Sequence, residues 1–173
     1  KKKYMLDILI DILYGGMTSR LWIALREKNP IIYGMNIFYM LYEEIGYINI
    51  SLTLQKKNLE KALKIIHHEI TQLKRKVIPK KEFDTIIKNL LYNIESEEDD
   101  NLDLAEYFGE KYLLDEDIVT YRDLGRIYKK VSREQLKELF IELFNFSTCK
   151  IIQVGNATKS EILKMVRGWD DRL

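Results

Sequence analysis

Apolar residues occupy nearly every face of residues 4–14, interrupted by Asp7 and Asp11. This pattern predicts a helix covered on most sides and stopped by Gly15 and Gly16. Ser19 is placed to cap a second helix from Arg20 to Lys28, whose last turn holds Arg26 and Lys28, cations suited to a helix C-terminus. Asn29-Pro30 ends that helix, because the residue before proline disfavours helical dihedrals. The period then changes. Tyr33 to Leu41 is rich in aromatic and aliphatic residues, and Tyr47 to Leu54 alternates, with Ile48, Ile50, Leu52 and Leu54 on one face and Tyr47, Asn49, Ser51 and Thr53 on the other. Two such runs joined across Gly46 predict an antiparallel hairpin with one face on a core.

Helical spacing returns at Leu59, Leu63, Ile66, Ile70 and Leu73, and the stripe ends at Lys74, Arg75 and Lys76. Pro79 opens another helix with Phe83, Ile86, Ile87, Leu90, Leu91 and Ile94 on its apolar face. The acidic residues Glu95, Glu97, Glu98, Asp99 and Asp100 read as that helix's end and a solvated loop, and a further helix is predicted from Leu102 to Leu114. Capping-box spacing recurs at Thr120/Asp123, Ser132/Gln135 and Thr158/Glu161, each predicting a helix start. Lys150 to Val154 is apolar and short enough for a third strand. The fold class is therefore α+β, a mostly antiparallel sheet with helices packed on one face. The chain reads as one domain over residues 1–173. Three strands are few for so many amphipathic helices, so the same domain is expected to include at least one strand preceding Lys1.

Composition narrows the function more than the fold. Hydrophobic residues make up 46% and charged residues 32%, and 28 basic against 27 acidic residues leave a net charge of +1. That balance gives no electrostatic basis for nucleic-acid binding. No apolar run reaches the length of a membrane span and no signal peptide is visible, so the expected compartment is the cytoplasm or an organellar matrix. The single cysteine, Cys149, allows no internal disulfide and suits a reducing compartment.

Candidate chemistry is sparse. The only histidines, His67 and His68, are adjacent on a predicted helix, where neighbours diverge by about 100 degrees and cannot share one ion as an i, i+4 pair does. Neither H-x-x-E-H nor H-E-x-x-H occurs, and there is no phosphate loop and no G-x-S-x-G. Cys149 heads a predicted apolar strand and reads as a small packing residue.

One segment stands out: Gly15-Gly16, Ser19-Arg20-Leu21, Leu25-Arg26-Glu27-Lys28 and Tyr33. It resembles the G-G-x-x-S-R-L-x-x-x-L-R-E-K-x-x-x-x-Y stretch of the insulinase-like zinc peptidases, the family of pitrilysin, insulin-degrading enzyme and the mitochondrial processing peptidase. The resemblance extends in order through the Gly46 hairpin, the helix from Leu59, the Pro79-to-Phe83 start, the Val131-to-Gln135 start and the run ending at Val154-Gly155, and is strongest over residues 15–54.

The resemblance implies a carboxy-terminal, non-zinc half of a clamshell metallopeptidase. Zinc would lie in another half, in the same polypeptide or a separate subunit, with none bound by this chain. A peptide would be the substrate, and no nucleic acid or membrane is implied as partner. It also implies that Arg26 and Tyr33, an arginine and a tyrosine seven residues apart, reach the substrate. Spacing alone reads Arg26 as a helix-terminus cation and Tyr33 as a packing residue; the surrounding motif gives them the substrate role. The alternative is a catalytically inert family member serving as scaffold or partner subunit. A helical interaction module using the Leu59–Leu73 face is a third, weaker reading.

Overall fold

The computed structural model describes residues 2–42, 44–98, 101–113 and 118–169. Helix α1, Lys2–Tyr14, is the hub. Met5, Leu6, Ile8, Leu9, Ile12 and Leu13 are all buried, and the helix packs against the short α2 (Arg20–Trp22), strand β1 (Ile32–Leu41), α4 (Lys80–Glu98), α6 (Tyr121–Lys129) and α7 (Arg133–Leu143). Burying a leucine or isoleucine side chain fully is worth about 1.5–3 kcal/mol, so this nearly all-round apolar helix organises much of the core.

Strand β2 (Gly46–Leu54) pairs antiparallel with β1, and these two strands are the whole sheet among the described residues. Met35, Ile37 and Tyr39 of β1 stand opposite Leu52, Ile50 and Ile48 of β2 on the inner face, toward α1. The outer face carries Asn36, Ser51 and Thr53 at one end and Phe38, Met40 and Tyr47 toward the turn. Helix α3 (Leu59–Arg75) packs on α7, and α4 packs on α6 and on α5 (Asn101–Leu113). Helix α8 (Lys159–Met165) closes the described chain against α3. The architecture is the expected α+β arrangement.

Several local expectations are corrected. Residues 150–154 form no strand: Ile152 and Val154 are 91% and 98% exposed, and without a neighbouring strand an apolar run has no ladder to join. The predicted helix from Arg20 to Lys28 is α-helical only through Trp22; Ile23–Glu27 is a π-turn, closed by Lys28 N–H donating to the Ile23 carbonyl at 2.8 Å. Ser19 stands at the N-cap position but makes no cap bond; its hydroxyl donates back to the Gly16 carbonyl at 2.6 Å. The capping boxes at Ser132 and Thr158 are complete. At Thr120 the first half forms, but the shorter Asp123 carboxylate accepts the Thr120 hydroxyl. Asp99, Asp100 and Leu114 lie outside the described residues.

Candidate substrate-gripping site

The two glycines after α1 are there for different reasons. A β-carbon on Gly15 would sit 2.6 Å from the Asp11 side chain and 2.7 Å from its backbone, while Gly16 has φ of 118°, a conformation side chains resist. The chain thus reverses within two residues and lays Arg20 across two helices. The Arg20 guanidinium meets the Glu82 carboxylate twice, at 2.7 and 2.9 Å, and lies 3.9 Å from Glu69. Glu82 is in the first turn of α4 and Glu69 is on α3, so one partly buried arginine ties the short helix α2, which leads into the π-turn, to both.

The π-turn leaves the Ala24 carbonyl to the Asn29 side-chain amide, at 2.9 Å. It also brings Arg26 round so that Nη1 donates to the Ile32 carbonyl at 2.6 Å. Arginine carries five N–H donors, so this bond leaves others for a ligand. The next residue is Tyr33. There the ladder slips: Ile32 pairs with Leu54 and Gly34 with Thr53, leaving Tyr33 as the extra residue of a β-bulge. The bulge lets Ile32 and Met35 both face the core while Tyr33 stays 66% exposed. Its hydroxyl oxygen accepts from Gln55 Nε2 at 2.5 Å.

Arg26 and Tyr33 are thus joined through the Ile32–Tyr33 peptide, each at a departure from ideal backbone geometry. Neither lines either of two surface recesses, one along α4 at Lys80 to Lys88 and one between α1 and α7. Within this chain the pair sits on an open surface.

The rest of the chemistry is structural. His67 stacks on Trp169, centroids 4.9 Å apart, and meets Phe146 at 4.6 Å, while His68 is exposed. No group of three or more His, Cys, Asp or Glu among the described residues is arranged to hold a metal ion. Cys149 is exposed and outside any strand, so it is not the packing residue its place before an apolar run suggested; desolvation by neighbouring atoms raises its thiol pKa, away from nucleophile character. Asp7 accepts from the Tyr39 and Tyr128 hydroxyls at 2.6 and 2.7 Å, linking α1, β1 and α6; burial nonetheless raises its pKa. One turn on, burial and the nearby Asp7 push Asp11 up to about 6. Among the described residues no helix is long and apolar enough to cross a membrane.

A family model described as "Peptidase M16 inactive domain" matches residues 1–90, from α1 into α4 and across the whole Arg26–Tyr33 segment. The chain belongs to this family. The insulinase-like resemblance over the Gly15–Tyr33 motif therefore stands, and the chain is an M16 carboxy-terminal-type half-domain. A protease from Helicobacter pylori superposes with a TM-score of 0.71 at 22% identity, over 83% of this chain and 35% of that one. A peptidase M16 inactive domain from Pseudomonas fluorescens gives 0.73 at 21% identity, over 83% and 34%. This M16 domain thus spans about a third of each of those proteins, and at such identities the likeness is one of fold. No curated protein matches the sequence.

The site's supporting residues were not visible in the sequence. Arg20 lies inside the recognised motif, but its partner Glu82 is 62 positions away. Gln55 is an exposed polar residue at a strand end with no pattern to mark it.

Proposed function

We propose that this M16 domain grips a peptide substrate in a two-half zinc endopeptidase, with Arg26 and Tyr33 as the residues that touch it. Zinc and its ligands belong, in this reading, to a separate half in the same polypeptide or another subunit, and the substrate is enclosed between the halves. The observation that carries the reading is the convergence of the π-turn and the β-bulge on one surface, each presenting one donor side chain, linked through the Ile32 carbonyl. Backbone irregularity of this kind is costly enough to cluster where side chains must be aimed. A guanidinium fork and a phenol are both donors, and amide hydrolysis builds negative charge on the scissile carbonyl oxygen. Donors fixed where that charge develops stabilise the transition state by roughly 2.7–4 kcal/mol each in comparable sites. A donor meeting a neighbouring carbonyl instead would hold the peptide in register.

The family's description as an inactive domain supports a second reading, a half that only scaffolds its partner. One experiment separates them. In the full-length, two-half protein, Arg26→Ala is expected to lower peptide turnover by roughly 10²–10³-fold with the fold intact by circular dichroism, and Tyr33→Phe to lose much of the same factor by deleting only the hydroxyl. Wild-type turnover in both variants excludes the gripping role and leaves the scaffold.

A further inference from the structure

We infer that Gln55 is a positioning residue for Tyr33: by donating its amide N–H to the phenolic oxygen, it turns the Tyr33 hydroxyl proton outward, toward a substrate carbonyl. The inference rests on the gripping role proposed above and adds the sense of the hydrogen bond. A phenol has one proton to give and lone pairs to receive with. With Gln55 Nε2 at 2.5 Å from the oxygen, the proton has no place along that line and points away from Gln55. A neighbour that accepted instead would take the proton and present an arriving carbonyl with an oxygen, which repels it.

The backbone fixes Gln55 where this bond is made. Leu54, just before it, pairs across the sheet with Ile32, and Tyr33 is the bulged residue immediately after Ile32, so the exit of β2 faces the bulge. Gln55 is also the N-cap of the 3₁₀ turn Lys56–Asn58, its carbonyl accepting from Asn58 N–H at 2.9 Å. That turn is fastened on both sides. The Asn58 amide donates to the Ile31 carbonyl at 3.2 Å, while Lys56 donates to the Asn156 carbonyl at 3.1 Å and pairs with Glu161 at 2.9 Å. Gln55 thus belongs to the same frame of side-chain bonds that holds the Ile31 and Ile32 carbonyls and the Tyr33 hydroxyl.

The test uses steady-state cleavage of a quenched fluorescent peptide by the full-length, two-half protein. Gln55→Leu removes the donor and should lower kcat roughly tenfold with a smaller change in KM. Gln55→Glu is isosteric but at neutral pH offers only acceptors, so it should capture the phenolic proton and reduce kcat to within a few-fold of Tyr33→Phe. As pH falls from about 7.5 towards the ordinary glutamate value of about 4.3, the introduced carboxyl regains a proton it can donate. Turnover of Gln55→Glu relative to wild type should therefore rise, a recovery that a purely structural role does not produce. Adding Gln55→Glu to Tyr33→Phe should cost less than about twofold more, because both changes act through one hydroxyl.

The outcomes are separable. If Tyr33→Phe impairs turnover while both Gln55 variants match wild type, the positioning role is wrong and the gripping role stands. If Gln55→Glu is as harmful without the Tyr33 hydroxyl as with it, Gln55 acts by another route and the inference fails. If Tyr33→Phe itself is neutral, Tyr33 loses its assigned role and the inference falls with it.

Discussion

Helix α1 and the Arg20–Tyr33 segment pack against each other but are held in different ways. The helix is regular, and six of its side chains are buried in one apolar core, with a partly buried polar anchor where Asp7 receives Tyr39 and Tyr128. The segment is irregular, with a π-turn, a bulge and much of its chemistry exposed, and polar side chains bonded to carbonyls hold it. Apolar burial is non-directional and tolerates relaxation, whereas each of these polar bonds fixes one atom. The contrast separates a region that determines whether the chain folds from one that determines where two donors point.

That separation can be broken from either side. The largest effect on stability is expected from Leu9→Ala in the fully buried centre of α1, at about 2–5 kcal/mol in urea unfolding. Turnover per folded molecule should stay close to wild type; a large specific loss would mean that the hub also aims the site. Glu82→Ala comes next. It leaves the partly buried Arg20 with only the longer contact to Glu69 and should cost about 1–3 kcal/mol. Here turnover should fall further than stability does, because the clamp at the root of the π-turn is released.

The smallest effect concerns pH. A carboxyl whose pKa is raised on folding holds its proton more tightly in the folded chain, so ionising it costs stability. For Asp11 that cost begins near the ordinary value of 3.8, grows as pH rises, and is complete above about 6. Asp11→Asn should therefore stabilise the protein by about 1 kcal/mol at neutral pH, allowing for solvent screening, and have little effect near pH 4. Unfolding curves at the two pH values check this, and equal effects at both would contradict it.

The regular half of the molecule was the legible half. The period of apolar residues located α1, the hairpin, α3 and α4, because burial on a helix or strand leaves its spacing in the sequence. Ser132 and Thr158 announced their helices because a capping box is a local arrangement. The run at 150–154 misled for the opposite reason: its composition suits a strand, but a strand exists only beside another. The π-turn and bulge left no mark, since both follow from how Lys28, Asn29 and Ile32 find partners after the chain has turned. Arg26 and Tyr33 were singled out only through a family motif, and their role is the one proposed above. Gln55, Asn58 and the Arg20–Glu82 clamp, which join residues distant in sequence, were not legible at all.

The bulge at Tyr33 has an evolutionary consequence. Because the extra residue drops out of the inside–outside alternation, its side chain contributes little to the interior. Selection can exchange or discard that phenol without a compensating change elsewhere, and the architecture would persist. On the gripping role proposed for Tyr33, a lineage built on this frame can thus fall silent, or take up a new specificity, through single substitutions that leave its shape untouched.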